Sequence, residues 1–154
     1  MLEEYAGLAD HLDAIRQWWR EDPTTAIQRY ENELRASELS SKATKMGDAR
    51  RKVSQYFLRL RALCEKGMLD PELVAATLGD EPVQVFLLYI DSLDEIVRRV
   101  AGKPHKTAER DYFHSYLKKY FSDTATTDPW GLRNTAVSQV RTSEGGLRDN
   151  ECCG

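Results

Sequence analysis

Apolar side chains recur every three or four positions along most of the chain, which is the spacing of one face of an α-helix. This spacing predicts a first helix from about Leu2 to Arg20. Asp22-Pro23 then predicts the start of a second helix, because an aspartate caps free N–H groups and a proline is tolerated in the first turn. The apolar face of the first helix consists of Leu2, Tyr5, Leu8, Leu12, Ile15 and Trp18.

The second and third helices differ in the width of their apolar faces. The second has a narrow stripe, which packs against little or forms a seam with a second subunit. From Asp48 to Gly67 the third helix has a broad apolar face typical of a core helix. Whether the two are continuous stays open, with Gly47 favouring a break. The two faces comprise Ala26, Ile27, Tyr30 and Leu34, and then Val53, Tyr56, Phe57, Leu60, Leu63 and Cys64.

The remaining helices follow similar boundary signals. Asp70-Pro71 predicts a short helix that ends at Leu78, and Pro82 begins a long one that reaches Val100. A final helix from about Thr107 to Phe121 has an aromatic face. No alternating run predicts a strand, so the expected fold is all-α, a compact bundle of five or six helices.

Hydrophobicity falls after the last predicted helix. We therefore expect a helical body over residues 1–121 and a flexible polar tail over residues 122–154. Asp128-Pro129-Trp130 resembles the short peptides by which endocytic accessory proteins bind clathrin adaptors. Since Trp favours burial, the preferred interpretation is that Trp130, with Leu132, folds back onto a groove of the body.

Charge and hydropathy narrow the function class. The 154 residues include 22 basic and 25 acidic side chains, for a net charge of -3. The longest stretch without a charge is nine residues, from Pro82 to Ile90, far short of the ~20 that cross a membrane. The start of the chain has no signal peptide pattern, so cytoplasmic residence is expected, with peripheral membrane association left open.

No combination of residues predicts catalysis, a cofactor or a metal. The three histidines, His11, His105 and His114, lack metal-site spacing, although an enzyme acting through His114 is a third-ranked alternative. Cys64 falls on an apolar face, where a thiol behaves as a small hydrophobic group. We therefore expect no catalytic, cofactor-binding or metal-ligating residues.

Aromatic residues supply the best candidates for partner contacts. The expected function is that of a non-enzymatic helical interaction or accessory protein, which acts through contacts with another protein or through self-association. A homodimer is the simplest form of this hypothesis. The predicted partner-binding residues are Trp18, Trp19, Tyr112, Tyr116 and Trp130.

A basic cluster supports an alternative function. Five basic side chains lie within eleven positions and are candidates for phosphate contacts in a regulatory, nucleic-acid-associated protein. The near-neutral overall charge disfavours nucleic acid as the main partner. These residues are Lys42, Lys45, Arg50, Arg51 and Lys52.

The segment from Arg50 to Val100 resembles a group of uncharacterised bacterial helical proteins of unknown function. The resemblance is carried by Arg50-Arg51, Tyr56-Phe57, Leu60, Leu63 and the run from Gly67 to Val74. Members of that group often begin with a membrane-spanning helix. The resemblance implies a helical fold and supplies no catalytic residues.

Overall fold

The computed structural model describes residues 1–103 and 128–133. This part of the chain contains six helices and no strand, which confirms the predicted all-α fold. The predicted helix from Thr107 to Phe121, and most of the predicted tail, lie outside the described residues. The six helices are α1 (Leu2–Ala6), α2 (Ala9–Glu21), α3 (Ala26–Arg35), α4 (Ser41–Glu65), α5 (Pro71–Leu78) and α6 (Asp80–Val100).

The first predicted helix is divided by a turn at Gly7 and Leu8. The Leu8 N–H donates to the carbonyl oxygen of Tyr5 at 3.0 Å and closes this turn. Glycine is a weak helix former, so the helix is interrupted there at low cost. The turn allows Tyr5 to pack against Tyr56 of α4, with ring centroids 5.8 Å apart.

Asp22 forms a turn rather than the start of a helix. Its carboxylate accepts hydrogen bonds from the backbone N–H and the hydroxyl group of Thr24, at 3.2 and 2.8 Å. An aspartate that bonds two residues ahead in this way stabilises a turn. As a result α3 begins at Ala26, three residues later than Pro23, where the sequence predicts it. In contrast, α5 begins at its predicted position, after the cap Asp70.

Gly47 lies inside α4, so the expectation that it favours a break is wrong. The break between the second and third predicted helices lies at residues 36–40 instead. Ser40 caps α4, because its side chain accepts a hydrogen bond from the Ala43 N–H at 3.2 Å. Gly47 permits a close approach: a Cβ atom added there would lie 3.1 Å from the hydroxyl oxygen of Tyr30, a tight contact.

A single π-helical turn interrupts the regular geometry of α6. The helix follows Gly79, whose φ of +75° favours glycine, and begins at Asp80 rather than at Pro82. Residues Phe86–Ile90 form the π turn, and the Asp91 N–H reaches back five residues to a carbonyl oxygen. A π turn is a short insertion into an α-helix and often marks a functional site.

Aromatic rings from three helices meet in one core. Phe57 of α4 stacks on Phe86 of α6, with ring centroids 4.5 Å apart. Trp19 of α2 meets Tyr89 of α6 edge-on, with centroids 5.0 Å apart. The largest fully buried side chains are Trp19, Tyr89, Phe57, Ile15, Met46, Ile90 and Leu93.

An ion pair between Arg50 of α4 and Asp94 of α6 is enclosed within this core. The two side chains are 13% and 9% exposed. Asp94 also accepts a hydrogen bond from the Ser54 hydroxyl group at 2.6 Å. Burial raises the pKa of the Asp94 carboxyl group, and the positive charge of Arg50 opposes that rise. The carboxylate therefore joins α4 to α6 through two side chains.

Within the described residues, no single helix is long and apolar enough to cross a bilayer. Taken together, α5 and α6 are long and apolar enough to cross a bilayer, but the chain bends by 98° between the two helices.

Candidate interaction site

Residues 128–133, which we call the docked segment, lie in a groove between α2 and α6. The ring of Trp130 packs on the ring of Tyr89, with centroids 4.5 Å apart. The guanidinium group of Arg16 also lies over the Trp130 ring, 4.9 Å from its centroid. Leu132 also packs against the core. The docking groove is formed by Arg16, Trp19, Leu88, Tyr89 and Ser92.

The hydroxyl group of Tyr89 makes two hydrogen bonds to the docked segment. It donates to Asp128 Oδ1 at 2.5 Å and accepts from the Leu132 N–H at 3.1 Å. Burial raises the pKa of Tyr89, and the hydrogen bond to Asp128 raises it further. The hydroxyl group therefore keeps the proton that it donates to the carboxylate.

Asp128 also holds the docked segment in its own turn. Its carboxylate accepts hydrogen bonds from the backbone N–H groups of Trp130 and Arg133, at 3.1 and 2.9 Å. Gly131 has a φ of +67°, a conformation that side chains other than glycine rarely adopt. The segment is thus shaped internally for binding, which lowers the entropic cost of docking.

Arg133 binds next to the π turn of α6. Its Nη1 donates to the carbonyl oxygen of Leu88 at 2.8 Å and to the Ser92 hydroxyl oxygen at 2.9 Å. The guanidinium group also lies 5.3 Å from the centroid of a Trp19 ring. Leu88 belongs to the π turn, so this backbone irregularity presents one of the acceptors that Arg133 uses.

The site combines an aromatic anchor, a carboxylate and a guanidinium group at fixed positions. Within the described residues, the buried Nε1 atom of Trp130 has no hydrogen-bond partner, so ring packing and the Arg16 cation hold the indole. The polar ends of the segment carry the directional bonds. The acidic side chain before the Trp, the indole ring and the Arg side chain after it are thus all held in one groove.

Two predicted partner-binding residues, Trp18 and Trp19, are instead buried by the chain itself. They are 6% and 2% exposed. The Trp18 Nε1 donates to the carbonyl oxygen of Ala26 at 3.0 Å, while Trp19 packs on Tyr89. Trp18 thus packs towards α3, where it also meets the Tyr30 ring, and Trp19 packs towards α6. While residues 128–133 are docked, these two residues therefore present almost no surface to a partner.

The other predicted partner-binding residues fall into two groups. Trp130 is partly buried in the docking groove. Tyr112 and Tyr116 lie outside the described residues. Of the five predicted partner-binding residues, Trp19 and Trp130 take part in the docking contacts.

The basic cluster does not form one continuous patch. Arg50, predicted as a nucleic-acid contact, points into the core because Asp94 holds it there. Lys42 and Arg51 each lie 2.8 Å from a carboxylate oxygen, on Glu21 and Asp48 respectively. The pKa of Glu21 is lowered, chiefly by its hydrogen bond to Lys42.

Lys45 and Lys52 are exposed on α4. Lys45 borders an open groove of about 700 Å³ between α2 and α4, together with His11 and Asp48. Within residues 1–103 and 128–133, no group of three His, Cys, Asp or Glu side chains is placed to hold a metal ion.

Five residues that make docking contacts are not among the candidates predicted from the sequence: Arg16, Leu88, Tyr89, Ser92 and Arg133. Tyr89 and Ser92 are three positions apart in α6, and Arg133 follows Trp130 by three positions. These two spacings of three positions are the sequence signal that could have indicated the polar contacts of the docked segment. Arg16 looks like an ordinary charged residue on the polar side of α2, so nothing in the sequence distinguishes it.

The chain matches no protein-family model, no curated protein and no solved structure. The resemblance of Arg50 to Val100 to bacterial helical proteins therefore stays a prediction.

Proposed function

We propose that this protein is a non-enzymatic interaction protein and that the docking groove is its recognition site for a short peptide segment. The observation that carries the proposal is the binding of residues 128–133 by side chains of α2 and α6. The contacts follow the pattern of a peptide complex, with one buried aromatic anchor and directional bonds on either side.

The anchor and the polar contacts have separate roles. Trp130 supplies a large apolar area together with ring and cation contacts, which favour affinity. Asp128 binds the Tyr89 hydroxyl group, and Arg133 binds the Leu88 carbonyl oxygen and the Ser92 hydroxyl group. Replacement of Asp128 or Arg133 would leave these groups of the groove without those hydrogen bonds. The groove therefore prefers a carboxylate two positions before the Trp and a guanidinium group three positions after it.

The direct test is binding of a peptide in trans. The emptied variant, Trp130→Ala/Arg133→Ala in the full chain, removes the anchor and the cation of the docked segment and leaves the groove intact. A fluorescein-labelled peptide of residues 126–135 should bind this variant, as measured by fluorescence anisotropy. The wild-type chain should bind the peptide roughly 10- to 100-fold more weakly, because its own segment competes at an effective concentration on the order of millimolar.

Matched controls isolate the groove. The groove substitutions, Tyr89→Phe/Ser92→Ala, remove hydroxyl groups and preserve shape. Added to the emptied variant, they should weaken peptide binding by at least about 10-fold through the loss of hydrogen bonds, two of them to charged groups. A peptide with Ala in place of Trp130 should not bind. Equal binding of the peptide with and without the groove substitutions would show that it binds elsewhere and would overturn the proposal.

A further inference from the structure

The Trp130 ring contacts two different groups of the docking groove. It packs on the ring of Tyr89, with centroids 4.5 Å apart, and the guanidinium group of Arg16 lies 4.9 Å from its centroid. Within the described residues, its buried Nε1 atom has no hydrogen-bond partner. Burial of an unpaired N–H group disfavours an indole relative to a phenyl ring. What favours Trp over Phe at this position is therefore the ring itself, through its area and its electron-rich face.

The guanidinium group of Arg16 has few competing contacts. Its ion pair with Asp13 spans 3.8 Å, beyond hydrogen-bond length, and the Asp13 side chain is 73% exposed. In the part of the chain that the structure describes, the buried Arg16 Nε atom has no hydrogen-bond partner. Arg133, the other cation at the site, differs because hydrogen bonds to α6 hold it. Arg16 therefore meets the docked segment through the Trp130 ring.

We propose that Arg16 is the specificity-determining residue of the docking groove and that its guanidinium group selects Trp at the anchor position. The inference rests on the proposed function, since it concerns the same groove. A cation is attracted by the negative face of an aromatic ring, most strongly by that of Trp, and an aliphatic side chain offers no such face. Apolar area alone ranks side chains by size, whereas the cation ranks them by the charge distribution of the ring.

A series of fluorinated peptides tests this contact directly. Fluorine withdraws electron density from the face of an aromatic ring, so it weakens the attraction for a cation with little change of shape. The labelled peptide of residues 126–135 is prepared with progressively more fluorine on the Trp130 indole and titrated against the emptied variant. Fluorescence anisotropy should show binding that weakens along the series, by roughly 2- to 5-fold at its end. Affinity should change far less along the series when the emptied variant also carries Arg16→Met.

The comparison of the two proteins isolates the cation. Methionine removes the charge and keeps an unbranched side chain of similar helix propensity. Any attraction of Arg16 for the Asp128 carboxylate is the same for every peptide, and the contact with Tyr89 is the same in both proteins. Only the difference between the two slopes therefore reports the cation over the ring. Arg20→Met is the matched control, since it removes an exposed charge from the same helix and should leave the slope unchanged.

The full chain supplies a second test that needs no added peptide. Trypsin cleavage after Arg133 measures release of the docked segment, because the docked side chain is bound to α6. Trp130→Leu removes the ring and should accelerate this cleavage. The acceleration should be roughly 2- to 5-fold larger in the wild-type background than in the Arg16→Met background, because only the former loses a cation contact. Circular dichroism first establishes that all variants keep the helical fold.

The outcomes separate this inference from the proposed function. If the peptides bind the emptied variant with parallel slopes in the presence and absence of Arg16, peptide recognition stands and the role of Arg16 is overturned. If no peptide binds the emptied variant, the proposed function fails, and the cleavage experiment decides whether Arg16 selects Trp in the chain's own segment. Equal acceleration by Trp130→Leu in the two backgrounds would then overturn that role as well.

Discussion

Arg50 of α4 and Asp94 of α6 form an ion pair inside the helical bundle, where their side chains are only 13% and 9% exposed. Such a pair is costly to dehydrate, and the Coulomb attraction compensates only when both partners are present. The Ser54 hydroxyl group binds the second carboxylate oxygen. This arrangement explains why a basic residue in the middle of a charged stretch faces inward.

Removal of one member of this pair should destabilise the fold far more than replacement of both. We expect Asp94→Asn to lower the free energy of unfolding by roughly 3–5 kcal/mol, because it leaves a buried guanidinium charge without its partner. The double variant Arg50→Met/Asp94→Leu should be close to wild type. Urea denaturation at neutral pH measures both.

A surface ion pair provides the control for this prediction. Lys42→Ala removes the exposed contact with Glu21 and should leave stability unchanged, because solvent screens exposed pairs. A cost for Asp94→Asn no greater than that for Lys42→Ala would contradict the structural role of the buried pair.

Gly47 should resist the usual stabilising effect of a Gly→Ala substitution in a helix. Alanine is favoured over glycine by about 1 kcal/mol in a helix interior. Here the added Cβ atom would lie 3.1 Å from the Tyr30 hydroxyl oxygen, closer than ordinary packing allows. We therefore expect Gly47→Ala to give no gain in the wild-type chain and a gain of about 0.5–1 kcal/mol in a Tyr30→Phe background. Thermal or urea denaturation of the four proteins gives this coupling, and equal effects in both backgrounds would refute it.

Docking should protect the peptide bond after Arg133 from trypsin. The protease needs an accessible arginine, whereas the Arg133 side chain is bound to Leu88 and Ser92. We expect Tyr89→Phe to raise the rate of cleavage after Arg133 by roughly 10-fold, because a hydrogen bond to a carboxylate is worth ~1.5–3 kcal/mol. Mass spectrometry identifies the cleavage site.

Tyr56→Phe is the matched control for this protease experiment. It also removes one buried tyrosine hydroxyl group, but its partner is the carbonyl oxygen of Met1, at 3.1 Å, and not the docked segment. Cleavage after Arg133 should be as slow as in the wild-type chain. Equal acceleration by the two variants would indicate general loosening of the fold rather than release of the segment.

The helical fold could be predicted because its main signal is local. Apolar periodicity predicted helical structure over each described helix, although it did not reveal the turn that separates α1 from α2. The Asp70-Pro71 boundary matched because both residues act within one turn. The predictions at Gly47 and Asp22 were wrong because contacts beyond the local helix pattern decide the structure there. The position of Tyr30 decides the role of Gly47, and a bond to Thr24 decides the role of Asp22, so neither follows from helix propensity alone.

The docking site could be predicted only in part. The preference of Trp for burial indicates that Trp130 packs on something, but not on what. The groove exists because α2 and α6, far apart in sequence, bring Arg16 and Tyr89 to the same Trp130 ring. The π turn contains the Leu88 carbonyl oxygen that accepts a hydrogen bond from Arg133, and the spacing of apolar residues in the sequence does not predict this turn. The same lack of tertiary information left Arg50 in the predicted basic cluster.

Alkaline conditions should destabilise the fold through Tyr5, which is partly buried, and Tyr56, which is buried. Burial raises the pKa of Tyr5 and of Tyr56 from 10.0 to about 12. The unfolded chain loses these protons near pH 10 while the folded chain retains them. The stability that they provide is therefore complete below pH 10 and is lost as the pH rises from 10 to 12. Urea denaturation across this range should show a steeper loss in the wild-type chain than in Tyr5→Phe/Tyr56→Phe; parallel curves would exclude these groups as the cause.

The remaining basic residues should not bind nucleic acid. Lys42 and Arg51 each lie 2.8 Å from a carboxylate oxygen, and Arg50 is buried. Phosphate contacts supply most of the affinity for nucleic acid, and each contact adds a slope of about −0.9 to the dependence of log K on log salt for duplex DNA. Within the described residues, the exposed Lys42 and Arg51 are paired with carboxylates, which leaves Lys45 and Lys52 as the exposed basic side chains of the cluster without an ion pair. We therefore expect no anisotropy change for labelled duplex DNA or single-stranded RNA at low salt. Salt-dependent binding that Lys45→Glu/Lys52→Glu abolishes would instead support the nucleic-acid alternative, because that substitution reverses charge at exposed positions and leaves the docking groove intact.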